Sequence, residues 1–210
     1  MRKVTAVFVN SQIDLVLVPA QQLRLVRLAV RCGLHRHSRI LQVALNEIAT
    51  CLNSGYQFIK GEKEWGGFYS WIAHEMPGVR VNDDEAKALA DGFLCDLLWV
   101  FQKLERGEFS AAQFVLHSSL AETNFRLIRE LRLRRGQPLP SFGLGRRVES
   151  LLTPSELEWV KVNARLNAEE LRGAAGYSFA GLRALMMEIV PAWKPSKEME
   201  SLLVPYVSSR

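Results

Sequence analysis

The chain has 210 residues, 48% hydrophobic and 23% charged, the balance of a soluble globular protein with enough length to bury a core in one ordinary domain or two small ones. No apolar run approaches the roughly 20 residues that cross a bilayer, and the short apolar piece in MRKVTAVFVN does not make a secretory leader, so a cytoplasmic protein with no membrane partner is expected. The formal net charge of +5 favours an anionic partner such as a nucleotide or nucleic acid, while Cys32, Cys51 and Cys95 suggest neither a zinc site nor a disulfide framework and read as buried thiols.

Residues 4–9 and 13–18 are β-branched runs joined by the polar Asn10-Ser11-Gln12, which reads as a strand hairpin that must join a larger sheet or lie against helices. Pro19 ends the second strand, and a helix is expected over 20–32. A second helix over 38–52 buries Ile40, Leu41, Ala44, Leu45 and Ile48 before Asn53-Ser54-Gly55 stops it. GYQFIKGEKEWGG then reads as an extended piece over 56–59 followed by a glycine-rich turn.

Leu89, Phe93, Leu97, Phe101 and Leu104 recur at three- and four-residue steps, predicting a helix over 84–105 capped by the oxygens of Asn82, Asp83 and Asp84. Past Arg106-Gly107, a helix capped by Ser110 is expected to run to about residue 135 with Phe114, Leu116, Leu120, Leu127, Ile128 and Leu131 on its apolar side. Gly136, Pro138 and Pro140 break it. Thr153-Pro-Ser-Glu156 is a capping box that opens a helix through Trp159 and Leu166. Another helix is expected to start near Ser178 and stop at Pro191, with an irregular or short helical tail after Trp193.

Three stretches could carry chemistry. Asp14 sits among apolar neighbours; alternation puts Ile13, Leu15 and Leu17 on one face and Asp14, Val16 and Val18 on the other, so the acid faces either solvent or a cleft. RCGLHRHSR gathers cations with His35 and His37, a solvated loop or, through Arg31 and His35, a spacing like that of some helical ribonucleases. NFRLIRELRLRRG places Arg126, Arg129, Arg132, Arg134 and Arg135 towards a helix C-terminus, where the dipole favours cations. With Arg146 and Arg147 it reads as a solvated basic face or a phosphate- or RNA-binding one. No Walker, G-x-S-x-G or H-E-x-x-H sequence is present.

Taken in order, the hairpin ending QIDLVLVP, the helix pair, GYQFIKGEKEWGG and DLLWVFQKLERGEFSAAQFVL resemble the aminoglycoside nucleotidyltransferase family, particularly streptomycin 6-adenylyltransferase-like proteins. The resemblance implies an α+β, mainly α fold: a short N-terminal β-hairpin, the remnant of a nucleotidyltransferase sheet, followed by a helical bundle. It implies a partial nucleotidyltransferase α/β part over 1–80 and a helical C-terminal domain over 81–210.

The activity it implies is transfer of a nucleoside monophosphate from Mg2+-bound ATP to a hydroxyl of an aminoglycoside-like acceptor. Asp14 would be a catalytic and metal-binding carboxylate, Lys103 and Arg106 would contact phosphate, and Glu122 would act as base or touch the acceptor. The family's paired carboxylates behind a Gly-Ser turn have no counterpart in the thirteen residues before Asp14, and Gln113 and His117 stand where a lysine and an aspartate are usual. The expectation is therefore a truncated or inactive relative. The alternative is a helical binding module that contacts nucleic acid or a partner protein through its arginine-rich helix, and the hairpin edge invites pairing with a second copy.

Overall fold

The computed structural model describes residues 2–8, 11–52, 56–76, 78, 80–137 and 148–207, with side chains from Val18 to Tyr206. It divides into two compact units, Met1–Val79 and Arg80–Arg210.

In the first unit, β1 (Arg2–Phe8) and β2 (Ser11–Leu17) pair antiparallel, with Val4 opposite Leu15 and Thr5 opposite Asp14. Among the described residues they pair only with each other, and every other regular element is helical. This corrects the expected α+β class: the protein is mainly helical, and among the described residues the two strands join no larger sheet of which they could be a remnant. Two strands alone are marginal in water and cannot set a fold class.

Helix α1 (Ala20–Arg31) is followed by a 3-10 turn, Leu34–Arg36, entered through Gly33 at φ 74°. Helices α2 (Arg39–Leu52) and α3 (Glu62–Glu75) bury Leu45, Ala49 and Leu52 against Phe68 and Ile72. α3 overturns the expected glycine-rich turn. Trp65, Phe68, Tyr69 and Ile72 recur at helical steps and pack in this core, which offsets the roughly 1 kcal/mol that each of Gly66 and Gly67 costs a helix. The cysteines expected to be buried are all exposed.

The second unit is built on α4 (Asp83–Glu105), whose Ala86, Ala90, Phe93, Leu97, Val100 and Leu104 form a buried stripe. Asn82 and Glu85 close a capping box, with bonds of 2.9 and 3.0 Å between each side chain and the other's N–H. α5 (Phe109–Val115), a π-helical turn (Leu116–Ala121) and α6 (Glu122–Arg134) form one interrupted helical run. Its N-cap is Glu108, not Ser110. α7 (Val148–Leu151) leads to α8 (Pro154–Val160), which opens on the Thr153–Glu156 capping box but stops well before Leu166. α9 (Ala168–Ile189) starts at Ala168 rather than Ser178, because Asn167 accepts a 2.9 Å bond from the Glu170 N–H. α10 (Lys197–Val207) follows.

α4, α6, α8 and α9 share one core. The Asn124 amide donates to the carbonyls of Trp159 (2.9 Å) and Ser178 (2.8 Å), joining α6 to α8 and α9. At Gly181 the helices are so close that a Cβ would meet the Cβ and Cγ of Trp159 well inside contact distance.

Candidate functional site

Four residues are implied by the resemblance. Asp14 lies in the first unit, and its side chain falls outside the described part of the structure. Lys103, Arg106 and Glu122 lie in the second. The Lys-x-x-Arg-Gly-Glu stretch is the stop of α4: the Gly107 N–H donates to Leu104 O (3.1 Å) and the Glu108 N–H to Lys103 O (2.9 Å), with Gly107 at φ 72°. This is the Schellman arrangement that satisfies the last carbonyls of a helix.

Within that turn both cations close on one carboxylate. Lys103 Nζ is 3.0 Å from Glu108 Oε2, and Arg106 Nε is 2.7 Å from Glu108 Oε1. The bonds from Lys103 and then Arg106 hold the Glu108 carboxyl below its ordinary pKa. Lys103 also lies over the Trp99 ring, 4.5 Å from its centroid. In this structure both cations are engaged by Glu108, which a triphosphate at this turn would have to displace. Glu122 begins α6, half-buried and with no hydrogen-bond or ion-pair partner among the described residues. The described residues contain no group of three or more His, Cys, Asp or Glu side chains arranged to hold a metal ion such as Mg2+.

The arginine-rich helix is similarly occupied. Arg132 forms a buried pair with Glu156. Arg134 donates to Glu130 (2.9 Å), Asp83 (2.8 Å) and Ile189 O (3.0 Å), while Arg135 pairs with Glu188 at 3.0 Å. Arg129 is buried, leaving Arg126 exposed. The expected basic face is thus largely an internal network; Arg146 and Arg147 lie outside the described residues.

Most of the excess positive charge lies elsewhere. Met1–Val79 carries nine Lys and Arg against five Asp and Glu, whereas Arg80–Arg210 carries eighteen against seventeen. In the first unit a groove of about 820 Å³ runs along α1, the 3-10 turn, α2 and α3, and is lined by Arg27, Arg31, Arg36 and Lys63 with Glu64 and Glu75. Arg27 is fixed, donating to Glu64 O at 2.9 Å and lying over the Trp65 ring. The side chains of Arg31, Arg36 and Lys63 are exposed and have no hydrogen bond or ion pair among the described residues.

The groove floor combines rings and unmet polar atoms. Trp71 lies parallel to Phe68, at 5° and 6.4 Å between centroids, with His35 edge-on to it at 5.3 Å. His35 Nδ1 and Asn46 Oδ1 are both buried without a hydrogen-bond partner, a state that costs about 1–3 kcal/mol each. Gly67 has open space where a Cβ would stand, which keeps the α3 wall low. The sequence signal for this site is the cation and histidine concentration in RCGLHRHSR; the α3 contribution has none, because Gly66 and Gly67 argue locally against a helix.

None of the described helices is long and apolar enough to cross a membrane. No family model, curated protein or solved structure matches the chain.

Proposed function

We propose that the chain is a nucleotidyltransferase-like protein that binds a phosphate-bearing ligand in the groove of its first unit and does not transfer nucleotide. The observation that carries this reading is a contrast between two sets of cations. Lys103 and Arg106 are closed onto Glu108, whereas Arg31, Arg36 and Lys63 line a groove with no carboxylate on them. Charge-assisted bonds to phosphate need donors of the second kind. In the same groove the buried, unpartnered His35 Nδ1 is a donor in the tautomer that carries its proton there.

The test is calorimetric titration with inorganic pyrophosphate and with ATP, alongside an assay for Mg2+-dependent transfer of labelled AMP to streptomycin. Replacing Arg31, Arg36 and Lys63 together by Gln should weaken anion binding about tenfold or more, while Lys103→Gln with Arg106→Gln leaves it unchanged, and no labelled product forms. The reverse pattern overturns the groove assignment. Labelled product that disappears in Asp14→Asn would return the chain to the catalytic class.

A further inference from the structure

We infer that the ligand of this groove is single-stranded nucleic acid, tracked along its phosphates by the cations and stacked through its bases on the aromatic side chains of α3; the inference rests on the proposed anion-binding role of the groove. Mononucleotide and triphosphate sites gather backbone N–H groups at a glycine-rich turn before a helix, giving one compact focus of positive charge. This groove is built differently. Arg27 and Arg31 stand one turn apart on α1, about 6 Å along its axis at 1.5 Å per residue, and Arg36 and Lys63 line the groove from neighbouring elements.

The same groove is lined by two rings of α3, the half-buried Trp71 and Phe68, which lie parallel to each other. Cations beside aromatic rings are what sequence-tolerant single-strand binders use, since every base has a face to stack and every nucleotide a charge to pair. The concentration of net charge in the smaller unit supplies the long-range attraction that such a polymer, more than one small anion, would exploit. The arginine-rich α6 cannot do the same, because Arg132, Arg134 and Arg135 are held by Glu156, Glu130, Asp83 and Glu188.

The experiment is fluorescence anisotropy on the full chain with a short fluorescein-labelled single-stranded oligonucleotide, an abasic oligomer with the same phosphates, a duplex of equal length, and ATP and pyrophosphate as competitors. Two variants separate charge from shape: the triple Arg31→Gln, Arg36→Gln, Lys63→Gln, and Gly67→Leu, which puts bulk into the groove while improving α3 as a helix. Expected are preference for the single strand over all four alternatives and a log–log salt slope of about −2 for three phosphate contacts. Affinity should fall about tenfold or more in the triple variant and in Gly67→Leu, with none of this in Arg126→Gln. Equal binding of the abasic oligomer or duplex, or competition by ATP as effective per mole as by the oligomer, overturns the inference while leaving an anion site in place. If no anion binds and neither variant changes anything, both this inference and the anion-binding reading fall.

Discussion

Arg132 and Glu156 form a buried ion pair between α6 and α8, with Arg132 Nε 3.1 Å from one carboxylate oxygen and Nη2 2.5 Å from the other. The same carboxylate accepts the Thr153 N–H at 2.8 Å and so closes the capping box that starts α8. One side chain thereby fixes both the beginning of a helix and its attachment to the core.

Breaking this pair from one side leaves a buried charge without its partner. Arg132→Met should therefore lower unfolding free energy by about 3–5 kcal/mol. Adding Glu156→Gln, which removes the charge and keeps an acceptor for the cap, should recover part of that loss. Urea denaturation of the two single variants and the double gives the coupling directly. Strict additivity would mean that the two side chains do not interact in the folded protein.

The same network sets an acid limit on stability. Burial alone would raise the Glu130 carboxyl, but bonds from Arg80 (2.7 and 3.0 Å), the Val81 N–H (2.9 Å) and Arg134 (2.9 Å) outweigh it and hold the pKa below its ordinary value. Glu156 is lowered in the same way, with burial opposed by Arg132 and by the Thr153 N–H and hydroxyl. A carboxyl depressed in the folded state binds its proton more readily when unfolded, so its stabilisation is present above the unfolded pKa of about 4.3 and is lost as pH falls towards the folded one. The urea midpoint should be level near neutrality and drop below about pH 4. In Glu130→Gln the neutral plateau should be lower and the acid drop shallower; an unchanged drop would remove Glu130 from the account.

Gly181 and Trp159 make a different kind of contact, one with no room in it. Gly181→Ala should cost about 1–3 kcal/mol by overpacking, despite the gain in helix propensity. Combining it with Trp159→Leu should cost less than the sum of the two single changes, because the smaller side chain vacates the space the methyl needs. A thermal melt series reads both effects, and full additivity would place the strain elsewhere.

What was readable in the sequence divides along local and distant interactions. α4 and the start of α8 were legible because their apolar spacing and capping boxes lie within a few residues. α3 and the first half of α9 were not, since Gly66, Gly67, Gly173 and Gly176 argue against a helix that packing nevertheless stabilises. The alternating run before Pro19 forms two strands that, among the described residues, pair only with each other, too little to make the fold α+β. The arginines of α6 looked like one solvated face because their partners Asp83, Glu156 and Glu188 are remote in sequence. The groove is half-legible: RCGLHRHSR supplies His35 and the adjacent cations, while Lys63 lies in the segment expected to be a glycine-rich turn, and Phe68 and Trp71 follow it without a local signal.

Two glycines test how the turn and groove are built, and they should respond with opposite signs to the same substitution. Neither Gly67 nor Gly107 has any atom close to where a Cβ would stand, so packing contributes almost nothing to either change. Gly67 is inside α3, where alanine reduces the entropy lost on folding; Gly67→Ala should stabilise the protein by about 0.5–1 kcal/mol. Gly107 is at φ 72°, the left-handed conformation that lets its N–H and that of Glu108 reach back to α4; Gly107→Ala should destabilise by about 1 kcal/mol or more. Parallel urea titrations measure the pair. A stabilising Gly107→Ala would mean that the Lys103–Glu108 turn does not hold this backbone, and the closure of Lys103 and Arg106 onto Glu108 would lose its structural basis.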